Sequence, residues 1–160
     1  MLTHTEQIRY SRQTIVEQIG EDGQLALRDA KVLIVGMGGL GNPVSTYLAA
    51  AGVGQLFLAD GDEVDLSNLQ RQVLFAPNDI GRNKAQVVCE RLLENNPDVE
   101  VEIIDEMLDD ESIEYYVEQA DIVVDCTDNI EARYLMNRAC ISFQKPLVIG
   151  AATGFDGQQI

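Results

Sequence analysis

Basic side chains are scarce in this sequence: eleven lysine and arginine residues stand against 27 aspartate and glutamate residues, giving a formal net charge of -16. So acidic a chain repels the phosphate backbone of nucleic acids and the headgroups of anionic membranes. The composition therefore argues against nucleic acid or a membrane as partner. Any basic side chains that the fold brings together become candidates for binding an anion.

Cysteine is rare too, and Cys89, Cys126 and Cys140 include no CxxC pair. Their odd number and wide spacing predict neither a disulfide framework nor a cysteine zinc site, and their apolar surroundings favour buried, reduced thiols. No apolar run approaches the roughly 20 residues of a membrane span, and the start contains no signal-peptide core. We therefore expect a cytoplasmic protein.

The order of apolar patterns predicts the fold class. Strand-like runs at residues 32–35, 56–59, 99–104, 122–124 and 147–149 alternate with helical periodicity at 43–51, 85–93 and 129–143. Such alternation is typical of a doubly wound, Rossmann-like α/β domain with a mostly parallel sheet. Glutamates alternate with apolar residues over 99–104, which predicts an edge strand. The first 29 residues are expected to form a helical extension ahead of the sheet.

A glycine-rich segment follows the first predicted strand and opens a helix. Its glycines are Gly36, Gly38, Gly39 and Gly41. Without Cβ atoms the backbone can turn tightly and bring its N–H groups against a phosphate at the positive end of the helix. The alternative is a turn that merely packs the helix on the strand.

Asp60 ends the second predicted strand, where a carboxylate can accept hydrogen bonds from ribose hydroxyls. It could also be an ordinary turn residue before Gly61 and Asp62. Together with the glycine segment, Asp60 fits an NAD-dependent oxidoreductase as well as an enzyme that uses ATP.

Two basic residues favour the ATP user. Arg71 has a planar fork suited to phosphate oxygens, although pairing with a carboxylate is an alternative. Lys84 lies in the first turn of a predicted helix, where the macrodipole disfavours a cation, so a compensating anion is expected there. A solvated surface lysine is the alternative. A triphosphate needs such neutralising groups, and a dehydrogenase cofactor has little use for them.

Asp128 follows the fourth predicted strand and precedes a helix. Its carboxylate could bind Mg2+ that also contacts phosphate oxygens. It could equally cap the helix, because Glu131 three residues later completes the spacing of a capping box.

The motifs together resemble the ThiF/MoeB/HesA family of adenylyltransferases. Arg9–Tyr10–Ser11–Arg12–Gln13, GMGGLG, Asp60, SNLQRQ, Lys84 and DCTDN occur in the family's order, and the resemblance covers residues 6–160. The local sequences at residues 58–60 and 153–158 look closer to the thiamine-pathway branch of the family than to the molybdopterin branch. The resemblance implies one ATP-binding adenylyltransferase domain over residues 1–160.

The resemblance also implies roles for individual residues. Nucleotide contacts are implied for Gly36, Gly38, Gly39, Gly41, Asp60, Ser67, Asn68, Leu69, Gln70, Arg71, Lys84, Asp128 and Asn129. Arg12, Arg71 and Lys84 are the implied catalytic cations, and Asp128 is the implied Mg2+ ligand. Family members are homodimers in which the residue matching Arg12 reaches the partner's phosphates.

The implied reaction is adenylylation of the C-terminal glycine carboxylate of a small ubiquitin-like sulfur-carrier protein (ThiS-like), with release of pyrophosphate. Full-length relatives continue with two CxxC pairs for structural zinc, a sulfur-handling cysteine and strands that hold the carrier, and none of these occurs before Ile160. We therefore expect the N-terminal portion of the family fold. The alternatives are a MoeB-like enzyme of the molybdopterin pathway and a non-catalytic nucleotide-binding module.

Overall fold

The computed structural model describes all residues from Met1 to Ile160. Three short helices precede the sheet: α1 (His4–Arg9), α2 (Ser11–Thr14) and α3 (Gly20–Asp29). The sheet strands are β1 (Lys31–Val35), β2 (Gln55–Ala59), β3 (Glu100–Ile104), β4 (Ile122–Asp125), β5 (Leu147–Thr153) and β6 (Asp156–Gln159). The helices between them are α4 (Gly41–Ala51), α5 (Lys84–Asn95), α6 (Asp110–Gln119) and α7 (Ile130–Phe143).

The strands form one sheet in the order β3-β2-β1-β4-β5-β6. Strands β1 to β5 run parallel to one another, whereas β6 pairs with β5 in antiparallel fashion. The predicted class, a doubly wound and mostly parallel sheet, is confirmed. The order reverses between β1 and β4, and in open α/β sheets ligands bind beyond the carboxyl ends of the strands at such a point.

Two apolar clusters cover the two faces of the sheet. One contains Ile34, Leu56, Leu58 and Val88, and the other contains Leu33, Phe57 and Met136. Consecutive residues of β1 point into different clusters, because side chains alternate across a strand. Burial on both faces explains why β1 and β2 are continuous apolar runs rather than alternating ones.

Strand β3 lies at one edge, as the charge pattern predicts. The predicted alternation of apolar and solvent-facing residues breaks at the end of the strand, however: Ile103 is 39% exposed, whereas Ile104 is 3% exposed. Ile104 belongs to the same apolar cluster as Ile113 of α6.

Helix α6 was missing from the sequence-based prediction, as was β6, whose residues are polar and exposed. None of the helices combines the length and apolar character needed to cross a membrane.

The helical extension packs on the ends of α4 and α5. Tyr10 is buried, and its hydroxyl accepts a hydrogen bond from Asn96 Nδ2 at 2.9 Å. Gln24 is fully buried, donates to the Ala51 carbonyl at 2.9 Å and accepts from Gln13 Nε2 at 2.6 Å. These bonds satisfy the buried amides and fix the extension on the sheet domain.

Candidate nucleotide-binding site

The glycine segment joins β1 to α4 through a tight turn. Gly36 has φ 91°, a left-handed conformation that strains any other residue. A Cβ on Gly41 would lie 1.8 Å from the carbonyl oxygen of Gly36, so only glycine allows the loop to close on itself. Helix α4 begins without a side-chain N-cap. The Asn42 N–H donates to the Gly38 carbonyl at 3.0 Å and Pro43 has no N–H, so the groups left for an anion are the N–H groups of residues 38–41, in the loop and at the first helical residue.

Replacing Gly41 with alanine should lower the free energy of unfolding by about 3 kcal/mol and abolish ATP binding, because the added Cβ would overlap the carbonyl oxygen of Gly36. Urea denaturation and calorimetric titration would measure the two effects. Gly23→Ala in α3 is the matched control, since its Cβ would meet no backbone atom and only the Ile19 side chain, at 3.2 Å. Wild-type ATP affinity in Gly41→Ala would contradict this account of the loop.

A cavity of about 920 Å³ opens at the carboxyl ends of the strands, directly beside the glycine loop. It is lined by most of the residues singled out in the sequence: Gly36, Gly38, Gly39, Asp60, Asn68, Arg71, Lys84, Asp128 and Asn129. Arg12, Gly41, Ser67, Leu69 and Gln70 are not among the lining residues. Leu69 packs instead against the apolar core. The cavity therefore collects most of the predicted contacts from three strand-to-helix connections.

Asp60 connects the end of β2 to the glycine loop. Its carboxylate accepts hydrogen bonds from the Met37 N–H at 2.7 Å and the Asp62 N–H at 2.8 Å. Burial raises the pKa of the Asp60 carboxyl, although both hydrogen bonds act to lower it. Asp60 is thus more than a turn residue: it lines the cavity and holds the loop in place.

Lys84 is buried, which excludes the alternative of a solvated surface lysine. Its side chain is 9% exposed, and Nζ lies 3.0 Å from Oδ2 of Asp62. The anion that the helix position calls for is therefore Asp62 in this structure. Because the Asp62 side chain is 66% exposed, this partner is solvated and the ion pair is weak.

Arg71 forms no ion pair, so the alternative of a structural partner among the carboxylates is wrong. Its NH1 group donates to the Ser67 carbonyl at 3.1 Å. The side chain extends over the glycine loop, with its Cδ 3.7 Å from the position that a Cβ on Gly39 would occupy. The guanidinium group is thus held beside the loop with donors to spare.

The cap of α7 is Asn129 rather than Asp128. Asn129 Oδ1 accepts from the Glu131 N–H at 2.8 Å and the Ala132 N–H at 3.3 Å, so the capping-box reading of Asp128 is wrong. Asp128 is exposed, lines the cavity and accepts no hydrogen bond from the protein. The nucleotide role implied for Asn129 is correspondingly limited, because its side-chain oxygen is already used.

An ion pair that the sequence analysis missed supports the Asp128 loop. Asp125 is fully buried and pairs with Arg133, with Oδ2 and Nε 2.8 Å apart. Arg133 also donates to the carbonyls of Thr127 at 3.0 Å and Gly150 at 3.3 Å. No local motif marks this pair, because Asp125 ends a strand and Arg133 lies one turn inside the next helix. The pair fixes the backbone immediately before Asp128.

Mg2+ fits the chemistry of the cavity. No group of three or more histidine, cysteine, aspartate or glutamate side chains could hold a metal ion by itself. Magnesium usually takes only one or two carboxylates and completes its shell with phosphate oxygens and water. The unpaired Asp128 carboxylate meets that requirement, so Asp128 would be the protein ligand of the metal.

Cys126 lines the same cavity but is 8% exposed. Burial raises the pKa of its thiol to about 12, so it is not a thiolate at neutral pH. Cys89 and Cys140 are buried and free as well, which confirms the expected buried, reduced thiols.

Comparison with known proteins agrees with this geometry. A family model described as ThiF family matches residues 10–160, nearly the whole chain. The chain belongs to the ThiF family. Membership decides against the NAD-dependent dehydrogenase that the glycine loop and Asp60 alone would allow.

Curated relatives of this ThiF-family chain are longer than it is. It is 50% identical over 151 residues to the sulfur carrier protein ThiS adenylyltransferase of Escherichia coli, covering 94% of this chain and 60% of that protein. It is 46% identical over 157 residues to the adenylyltransferase and sulfurtransferase MOCS3 of Drosophila sechellia, covering 98% of this chain and 35% of that protein. The ThiF-family chain thus spans 60% or less of these two relatives.

Solved structures that resemble this ThiF-family chain include two complexes with ATP. The E. coli tRNA N6-threonylcarbamoyladenosine dehydratase TcdA in complex with ATP has a TM-score of 0.90 at 26% identity, covering 98% of this chain and 64% of that one. E. coli MccB with ATP has a TM-score of 0.83 at 35% identity, covering 91% of this chain and 46% of that one.

Proposed function

We propose that this ThiF-family chain binds ATP and adenylylates the C-terminal glycine carboxylate of a small ubiquitin-like sulfur-carrier protein, in thiamine biosynthesis. The main support is that the free loop N–H groups, two cations and an unpaired carboxylate line one cavity in a chain of net charge -16. The names of the curated relatives agree with this activity.

The reaction needs positioning more than proton transfer. A glycine carboxylate is ionised at neutral pH, so it can attack the α-phosphorus without a general base. The bond from the α-phosphorus to the bridging oxygen breaks as the acyl phosphate bond forms, and pyrophosphate leaves. The obstacle is negative charge brought together at one phosphorus, which fixed cations can offset.

The residues of the cavity supply those groups. The glycine loop would hold phosphate oxygens through its N–H groups, and Asp60 would accept from the ribose. Arg71 and Lys84 would neutralise charge on the phosphates as pyrophosphate leaves. Mg2+, held by Asp128 and phosphate oxygens, would supply further positive charge at the leaving group.

ATP–pyrophosphate exchange tests the proposal, with and without a carrier that ends in Gly-Gly. Exchange that depends on the carrier would establish reversible formation of an acyl adenylate. Comparing a ThiS-like carrier with a molybdopterin-synthase carrier would separate the thiamine pathway from the MoeB-like alternative. Tight ATP binding without exchange with any carrier would favour a non-catalytic nucleotide-binding module.

A homodimer is part of the proposal, with Arg12 acting across the interface. Arg12 is exposed and does not line the cavity of its own subunit. Arg12→Ala should therefore reduce exchange about 100-fold, as expected for loss of one cation at the reacting phosphate.

Mixing equal amounts of Arg12→Ala and Lys84→Met subunits should restore roughly a quarter of the wild-type rate. About half of the dimers are then mixed, and each mixed two-fold dimer contains one complete site out of two. Each variant alone serves as the control. Absence of recovery in mixtures shown to exchange subunits would contradict action across the interface.

A further inference from the structure

Three segments of this strongly acidic chain contain no aspartate or glutamate, and they meet on one surface. They are residues 8–16 of the helical extension, residues 41–51 of α4 and residues 66–76 after β2. The Gln13 amide donates to the Ala51 carbonyl at 3.0 Å, so the first segment lies at the carboxyl end of α4. The Leu74 N–H donates to Asn42 Oδ1 at 3.0 Å, so the third lies at the amino end of α4. We call the surface formed by these three segments the α4 face.

Large apolar side chains of the α4 face are exposed. Tyr47, near the middle of α4, is 75% exposed. The other exposed apolar residues of the face are Ile8, Ile15, Val16, Leu66 and Val73. Helix α4 carries no charged residue at all, whereas α3, α5, α6 and α7 each carry at least three. Exposed apolar side chains with few charges among them are typical of the centre of a protein–protein interface.

The charge of the chain favours a second copy of itself at this face. With a net charge of -16, two copies repel each other over most of their surfaces. At α4 neither copy presents a charge, and the acidic residues of both copies lie outside the contact. The α4 face is therefore the surface on which two copies can approach with the least repulsion.

The position of Arg12 indicates how the second copy is oriented. Helix α4 has 11 residues and is about 16 Å long. The glycine loop lies at its amino end, whereas Arg12 is next to Gln13 at its carboxyl end. Arg12 is thus about one helix length from the glycine loop of its own subunit. Antiparallel packing of two α4 helices about a two-fold axis exchanges the ends and brings each Arg12 to the glycine loop of the other copy.

We propose that two copies of this chain associate through the α4 face, with their α4 helices antiparallel and Tyr47 close to the two-fold axis. The orientation rests on the proposed function, because it brings Arg12 to the nucleotide of the other subunit. The two copies of Tyr47 then pack on each other and bury apolar area that is exposed in the single chain. Val73 of one copy lies opposite Ile15 of the other.

Cysteine crosslinking tests the interface directly. Tyr47→Cys should give a covalent dimer in most chains with a short bis-maleimide crosslinker, because a residue at a two-fold axis faces its own copy. The native cysteines are buried, and the wild type shows what they contribute. Tyr134→Cys is the matched control, since Tyr134 is 69% exposed on α7, which packs on the opposite face of the sheet. It should give no covalent dimer.

Two further variants report the orientation of the helices. Subunits carrying Val73→Cys and subunits carrying Ile15→Cys should crosslink to each other in mixtures, whereas neither variant should crosslink to itself. A parallel arrangement would give the reverse result, with each variant linked to its own copy. That outcome would overturn the antiparallel packing.

An acidic residue in the middle of the α4 face should separate the copies. Tyr47→Glu should raise the dimer Kd at least about 100-fold in analytical ultracentrifugation, because two like charges face each other. Carrier-dependent exchange should fall about 100-fold, as for Arg12→Ala, while the ATP cavity of each subunit stays intact. Tyr134→Glu should change neither the Kd nor the exchange rate.

A wild-type chain that is monomeric at micromolar concentrations would overturn the inference. So would a dimer in which Tyr47→Cys crosslinks no better than Tyr134→Cys. Crosslinking needs neither ATP nor a carrier, so it still decides on the interface if the exchange assay refutes the proposed function. Carrier-dependent exchange by a monomer would refute the interface and leave the activity standing.

Discussion

Replacing Asp128 with asparagine should lower the rate of carrier-dependent ATP–pyrophosphate exchange at least about 100-fold while leaving the fold intact. The carboxylate is exposed and has no partner in the protein, so its loss should change the free energy of unfolding by less than about 0.5 kcal/mol. What disappears is the unpaired carboxylate that we propose holds Mg2+ against the phosphates. Steady-state exchange at increasing Mg2+ concentrations measures the effect.

Asp98→Asn is the control for Asp128→Asn. Asp98 is also an exposed aspartate, but it precedes β3 and so lies near the amino ends of the parallel strands, away from the cavity at their carboxyl ends. Its substitution should leave both the exchange rate and its Mg2+ dependence unchanged. Wild-type exchange in Asp128→Asn would rule out Asp128 as the metal ligand.

Replacing Lys84 with methionine should reduce exchange by a similar factor, about 100-fold, which corresponds to about 3 kcal/mol in the barrier. Methionine keeps the buried apolar stem and removes only the charge. Because the partner Asp62 is 66% exposed, the lost ion pair should cost less than about 1 kcal/mol of stability. The turnover number, the KM for ATP and a urea unfolding curve separate these effects.

Lys31→Met provides the comparison, since Lys31 is exposed at the amino end of β1, opposite the cavity. It should match the wild type in both exchange and ATP affinity. If Lys84→Met lost activity only in proportion to lost stability, Lys84 would have a structural rather than a catalytic role.

The side chains around Asp128 show where sequence-based prediction stopped. Spacing to Glu131 left helix capping and metal binding as equal readings of Asp128. The choice depends on the backbone conformation of one residue. Asn129 has φ -110° and ψ 117°, which makes it the last non-helical residue and puts its amide over the helix N-terminus. A shift of one position frees the neighbouring carboxylate, and local spacing cannot resolve a shift that small.

Arg133 escaped prediction for a different reason. It is one polar residue in a mixed segment and belongs to no pattern that repeats with the period of a helix or strand. Its partner, Asp125, lies in another element. Burial and pairing of this kind depend on which loops meet in space.

The sequence by itself determined the fold class, the glycine loop and the set of elements that carry the site, because apolar periodicity and glycine placement act over a few neighbouring residues. Only the tertiary structure decided which side chains remain free for a ligand. Lys84 pairs with Asp62, Arg71 does not pair, and Asn129 rather than Asp128 caps α7. Pairing is a competition among groups that the sheet brings together from distant positions, so its outcome is fixed by three-dimensional proximity.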